Sequence, residues 1–270
     1  MKKISEVFNP KKITISGKSK IVDTDEGRFV IKKKSKDIKS LYDYLNSRSF
    51  TSYPELVDEL DDEYVYKVVS EPEIPIEQKS LDMAKVLSSL HTKTVYFKDI
   101  SADKIKEIYE NIVSNITYLE GYYETLFNNL EIKEVLLPSE QVILEGRSKI
   151  KSLTEFLTNE AENWYNLAST KTKERVVYCH NNLSIDHFID NKFISWDKFL
   201  VDSPVIDLIN LYKNDYNKYD FSLFLNEYFK HFELLDYEKT LLFIMISMPK
   251  TYDFTNNELD NTIMVSKSIS

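Results

Sequence analysis

Between Cys179 and Asp207 the sequence reads CHNNLSIDHFIDNKFISWDKFLVDSPVID. It gathers one thiol, two imidazoles and five carboxylates into a single short stretch. Phosphoryl transfer draws on groups of this kind. A cation meets the phosphates, one carboxylate orients the attacking hydroxyl, and an amide with a second carboxylate holds magnesium. The candidate cation is Lys32, in FVIK; its plainer reading is a solvated strand end shared with Lys33 and Lys34. The acids near the stretch are Asp186, Asp190, Asp197 and Asp202. Asp186 beside His187 offers a metal pair better suited to zinc or manganese than to magnesium; a loop acid next to a packed histidine is the plainer reading. Cys179 and His180 are neighbours on a strand, so they point to opposite faces and make no nucleophile–base dyad. Cys179 reads as a small core residue.

These residues need elements to hold them. Val176–Cys179 is a short apolar strand that opens into a polar loop, residues 193–196 form a second strand, and SPVIDL starts a helix. Earlier, KKITISG, SKIVDTD and RFVIKKK read as strands separated by turns at Ser16-Gly17 and Asp25-Glu26-Gly27. Ile38, Leu41, Tyr42 and Leu45 fall at helical spacing, and two further strands lie near ELVDEL and EYVYKVV. A Pro-containing hinge, SEPEIPIE, follows. Leu81 to His91 is helical, as are residues 103–130, where Ile105, Ile108, Ile112, Ile116 and Leu119 make one face thickened by Tyr118, Tyr122 and Tyr123. A helix starts near Pro138, another covers 152–168 and carries Trp164, and further helices fill 205–246. The polar tail from Asn256 reads as loose.

Composition sets the outer limits. Of 270 residues 42% are hydrophobic and 13% aromatic, enough for a sizeable core and unlike a disordered chain. One cysteine rules out an intrachain disulfide framework. MKKISEVFNP lacks the apolar stretch of a signal peptide, and the longest apolar run, Leu241–Ile246, is too short to span a bilayer. A cytoplasmic protein is expected. Net charge is −9, yet residues 1–40 carry twelve Lys/Arg against five Asp/Glu, a net +7 that leaves −16 on the rest. That asymmetry suits a solvated basic lobe, or a surface for a phosphate-bearing or acidic partner. Overall acidity and the lack of a recognition motif argue against nucleic acid.

In order and spacing the chain resembles the aminoglycoside phosphotransferase and choline kinase superfamily, whose loop H-G-D-x-x-x-x-N is followed by I-D-W/F and P-x-x-D-L. AKVLSSLHTK resembles that family's helix after the hinge. YLEGYYETLF, LLPSEQVIL and EFLTNEAENWYNL resemble the helical insert of its spore-coat-associated branch in Firmicutes. The resemblance implies an α+β, two-lobed, protein-kinase-like fold: a small antiparallel-sheet N-lobe over residues 1–70 and a mainly helical C-lobe over 71–270. Within the latter, a helical insert would cover about 101–170 and the core of the site about 176–210. His180 matches the loop histidine. Asn182 stands where the catalytic aspartate belongs, His187 where the magnesium-binding asparagine belongs, and Ser195 where the magnesium-binding aspartate belongs. Asp207 matches an acid that braces the loop, and Lys32 the lysine that contacts phosphates. Asp37 is its implied helix partner, with Asp43 as runner-up. Asp197 lies two residues past Ser195, where relatives also carry an acid, and is the best candidate to hold a metal in a shifted geometry; a surface or loop-bracing acid is its plainer reading.

Asparagine cannot serve as a carboxylate base, and a serine hydroxyl is a poor substitute for the hard anionic oxygen magnesium favours. SGKSK, with its single Gly17, is a thin phosphate cradle. The expectation is therefore a catalytically degenerate kinase-like protein that acts by binding or scaffolding, with spore association implied by the resemblance. No cofactor is expected; ATP with magnesium is the alternative. The partner would be a protein or a small molecule. Two rival readings are an active small-molecule kinase acting on an alcohol through an altered metal site, and a nucleotide or small-ligand sensor.

Overall fold

The computed structural model describes residues 10–17 and 19–269. The basic residues 1–9, and Lys18 of the SGKSK turn, lie outside the described residues. The chain runs through strands β1 (Pro10–Ser16), β2 (Ser19–Thr24) and β3 (Gly27–Lys33), helix α1 (Ile38–Ser47), strands β4 (Leu56–Glu59) and β5 (Glu63–Lys67), helix α2 (Ile76–Thr94) and strand β6 (Tyr96–Asp99). Helices α3 (Ala102–Glu131), α4 (Pro138–Glu145) and α5 (Arg147–Ala168) follow, then strands β7 (Lys173–Cys179), β8 (Phe188–Ile189), β9 (Lys192–Phe193) and β10 (Leu200–Asp202). Helices α6 (Val205–Asp215), α7 (Phe221–Phe229), α8 (Asp236–Ser247) and α9 (Glu258–Ile269) close it. This is the expected α+β class, with antiparallel sheet first and helix after it. Among the described residues no helix is long and apolar enough to cross a membrane.

Two units divide the contacts. The first takes the chain through Phe97 and again Arg175–Leu234; the second takes Lys98–Glu174 and the chain from Leu235. In the first unit an antiparallel sheet is ordered β1-β2-β3-β5-β4. Its register decides which side chains can reach a ligand. Ile21 pairs with Val30, and Val30 with Tyr66, so all three share one face; Lys32, two residues on from Val30, shares it too. The opposite face carries Val22, Phe29, Ile31 and Val65, a buried cluster with Leu60. A slip of one residue would exchange the faces, and burial of that cluster forbids it. In the same unit α2 packs on α7, burying Leu87, Leu90, Phe224 and Tyr228.

In the second unit α3 packs on α5 and α5 on α8, around Ile112, Ile116, Leu157, Trp164 and Ile244. Helix α4 packs on α9 around Ile143 and Val265. Two expectations change here. The tail is helical rather than loose: Asn261 Oδ1 accepts the Thr255 N–H at 2.8 Å, which fixes the entry to α9, and Val265 is fully buried. Tyr118 does not thicken the apolar face of α3 but is 64% exposed, while Tyr123 is buried. Tyr118 lies one position before the Leu119 that faces the core, so it is turned about a quarter of a revolution or more away from it.

Truncating Leu87, wholly buried in the α2–α7 packing, should leave a cavity. Leu87→Ala is expected to lower unfolding free energy by about 3 kcal/mol in urea titration.

Candidate functional site

The loop after β7 is held by one face of α6. Asp207 Oδ2 accepts the His180 N–H at 2.8 Å, and Oδ1 accepts the Asn181 N–H at 2.7 Å. Asn210 Nδ2 donates to Asn181 Oδ1 at 2.8 Å, and Asn214 Nδ2 donates to the Leu183 carbonyl at 2.7 Å. Asp215 Oδ2 accepts the Ile185 N–H at 2.5 Å, and its Oδ1 is paired with Lys218 at 2.9 Å. Residues 207, 210 and 214 fall at i, i+3 and i+7 with Asp215 beside them, a polar stripe on a helix that also buries Val205, Leu208, Ile209 and Leu211. Only Asp207 was anticipated from the sequence; the stripe itself was the available signal for the other three.

Asp207 also reaches α2. His91 Nε2 lies 3.2 Å from Asp207 Oδ2, and His91 Nδ1 lies 2.6 Å from the Tyr228 hydroxyl. With Nε2 donating to the carboxylate, Nδ1 accepts the phenolic hydrogen, so the chain Tyr228–His91–Asp207–loop is satisfied throughout. His91, Asp207 and Cys179 stand close enough together to resemble a metal set, and all are fully buried. The Cys179 thiol, however, faces the Ser203 carbonyl at 3.3 Å, and burial holds its pKa well above the ordinary thiol range. It is a packed thiol, as the sequence implies.

His180 sits beneath the loop. Its Nε2 lies 2.8 Å from the Ile194 carbonyl, its ring meets Trp196 edge-on at 4.6 Å, and its Nδ1 has no hydrogen-bond partner. Burial holds its pKa down at about 4, against an ordinary 6.5. It braces backbone and does not face the cleft.

The cleft itself has a volume of about 420 Å³. Ile21, Val30 and Tyr66 line it from the sheet, and Ile189, Ile194 and His187 from the loops. Phe188 is buried and leaves the space open. The hairpin that brings up Ile189 turns through Asp190 and Asn191, both at positive φ (46° and 56°), as a tight two-residue turn requires. Ser195 also stands in the left-handed region, at φ 66°.

The side chains singled out from the sequence converge in part. Lys32 Nζ donates to Ser195 Oγ at 2.8 Å and lies 3.6 Å from Asp197 Oδ1; all three line the cleft. Asn182 Nδ2 donates to the Ser195 carbonyl at 3.2 Å, and His187 Nδ1 lies 2.7 Å from the Asn182 carbonyl. Asp37 does not partner Lys32. It caps α1, accepting from Ser40 N at 3.0 Å and Ser40 Oγ at 2.6 Å, and those two hydrogen bonds hold its pKa below the usual carboxylate range. The acid that meets Lys32 comes instead from the turn after β9. Asp186 is paired with Lys218 at 2.8 Å, and Asp190 with Lys192 at 3.2 Å. Asp202 Oδ1 accepts the Ser203 N–H at 2.7 Å. Of the five aspartates in the stretch, Asp197 alone lines the cleft.

Magnesium takes about six oxygen ligands in near-octahedral geometry, usually including one or two carboxylates. Here Asn182 uses its Nδ2 on a backbone carbonyl and leaves one amide oxygen, the Ser195 hydroxyl accepts from Lys32, His187 offers nitrogen, and the single carboxylate among the described lining residues faces an ammonium. These residues do not fit the ion.

Two outcomes follow from the brace. Asp207→Ala leaves His91 and two loop N–H groups without their acceptor and should cost about 3–5 kcal/mol of stability by chemical denaturation. Between pH 6.5 and about 4 the unfolded chain protonates His180 while the folded site does not. Stability therefore falls as pH drops through that window, and should fall by about 3 kcal/mol more in the wild type than in His180→Gln when melts are compared across it.

No protein-family model matches the sequence, and no curated protein matches it. Solved structures do match. Aminoglycoside phosphotransferase from Alicyclobacillus acidocaldarius aligns at a TM-score of 0.68 and 12% identity, covering 100% of this chain and 94% of that one. Spectinomycin phosphotransferase in its AMP-bound complex aligns at 0.55 and 12%, covering 96% and 84%. The chain has the kinase-like fold of the aminoglycoside phosphotransferases.

Proposed function

We propose that this protein is a pseudokinase: a kinase-fold protein that binds a small ligand in its cleft and does not transfer phosphoryl groups. The observation that carries this reading is the hydrogen bond from Lys32 to Ser195 at 2.8 Å. The position the family gives to a metal-binding carboxylate is held by a hydroxyl that the strand lysine itself occupies. Asn182, at the position of the catalytic base, cannot accept a proton at neutral pH. The loop that should carry the chemistry is nonetheless fully braced, and the cleft is open, so binding survives where reaction does not. AMP occupies the spectinomycin phosphotransferase of the same fold, which supports a ligand of nucleotide or nucleoside type in this cleft.

Asp197 favours a second reading. As the one carboxylate among the described residues that line the cleft, it is the group on which transfer to an alcohol would depend. That reading expects ADP release from ATP with a hydroxylated acceptor, abolished by Asp197→Asn.

Thermal unfolding separates the two. A ligand present at about a hundredfold over its Kd should add about 2.7 kcal/mol of stability. The pseudokinase reading expects such a shift without any dependence on magnesium or manganese, and no ADP release with a panel of amino alcohols, sugars and aminoglycosides. The triple variant Asn182→Asp, His187→Asn, Ser195→Asp should acquire a magnesium-dependent shift with ATP. Metal-dependent turnover in the wild type would sink the proposal.

A further inference from the structure

The sheet of the first unit ends in two different edges. At one end β4 is four residues long, irregular between Leu56 and Asp58, and carries Asp58 and Glu59. Shortness, irregularity and charge discourage another strand from pairing there. At the other end β1 is seven residues long, and from Lys12 to Ser16 it pairs with β2 in unbroken register. Among the described residues no strand covers its outer side.

The turn after β1 fixes which groups point outward. Ser16 and Ser19 close a two-residue turn, with Gly17 at φ 57°, so they form a hydrogen-bonded pair. Alternation then aims the backbone groups of Thr14 and Ser16 at β2, and those of Ile13 and Ile15 at the open side. The side chains of Ile13 and Ile15 share the face of Val22 and Ile31, yet they are 52% and 78% exposed. Apolar side chains and unpaired backbone coincide on this edge.

The residues of β1 are also self-complementary. When one β1 is laid antiparallel on another with Thr14 facing Thr14, Ile13 meets Ile15, Lys12 meets Ser16 and Lys11 meets Gly17. No lysine stands directly opposite a lysine, the arrangement that would oppose pairing. Four isoleucines then make a row that continues the apolar face of each sheet. We infer that a second copy of this chain pairs along the outer edge of β1, in a two-fold register centred on Thr14, and joins two five-stranded sheets into one.

Sedimentation velocity of the full chain over a concentration series tests this, in salt high enough to screen the two basic edges from each other. A reversible dimer is expected, weakened about tenfold or more by Ile15→Lys. Cysteine substitution reads the register. In a non-hydrogen-bonded antiparallel pair the Cα atoms stand about 4.5 Å apart, within disulfide reach. Thr14→Cys should therefore give a disulfide-linked dimer on mild oxidation. Ser16→Cys, which faces the partner's Lys12, should not, and the native Cys179 is buried. A wild type that stays monomeric up to about 1 mM overturns the inference. So does a dimer that Ile15→Lys leaves unchanged, or one linked through Ser16→Cys and not through Thr14→Cys.

Discussion

The buried carboxylate of Asp207 is the interaction on which the site depends. It is wholly removed from water, so its cost must be met by partners, and it has three: two loop amides and the His91 imidazole. Those partners come from α2 and from the turn after β7, while the acid itself stands on α6. One side chain therefore ties two helices to a loop, and the left-handed residue Asn181, at φ 56°, is kept in place by it. Asp215 repeats the device a few residues later on Ile185.

The cleft above the loop is governed by different forces. Its contacts are partly solvated and mostly between side chains: Lys32 with Ser195 and Asp197, and Asn182 with a carbonyl. Exposed or half-exposed pairs of this kind contribute little to stability, roughly 0–1 kcal/mol each. They set the charge and the donors that the cleft presents. The sheet register supplies the remaining wall, because the burial that fixes Val22, Phe29, Ile31 and Val65 on one face necessarily leaves Ile21, Val30 and Lys32 on the other.

Much of this was readable beforehand. The strands through residue 67, the helix over Ile38–Leu45 and the Asp207 brace follow from alternation, helical spacing and motif order, which are local signals. Three features were not. The family resemblance implied Asp37 as the helix partner of Lys32, yet a helix needs its N-cap and the closer demand won. Lys32 and Asp197 were expected in one site only as parts of an altered metal centre; their direct pairing, and the bond from Lys32 to Ser195 163 residues on, come from the fold. The helix at the C-terminus was missed because its sequence is polar; packing on α4, rather than propensity, stabilises it.

The stripe on α6 has a further consequence. Its anchors at 207, 210, 214 and 215 grip backbone and one asparagine of the loop, and none of them touches the side chains of Asn182, His187 or Ser195. Mutational freedom in this protein is accordingly divided. Substitutions along the stripe fall on the brace, and those in the cleft change the charge and the donors it presents. A fold braced in this way can tolerate change in the cleft while its loop stays in place.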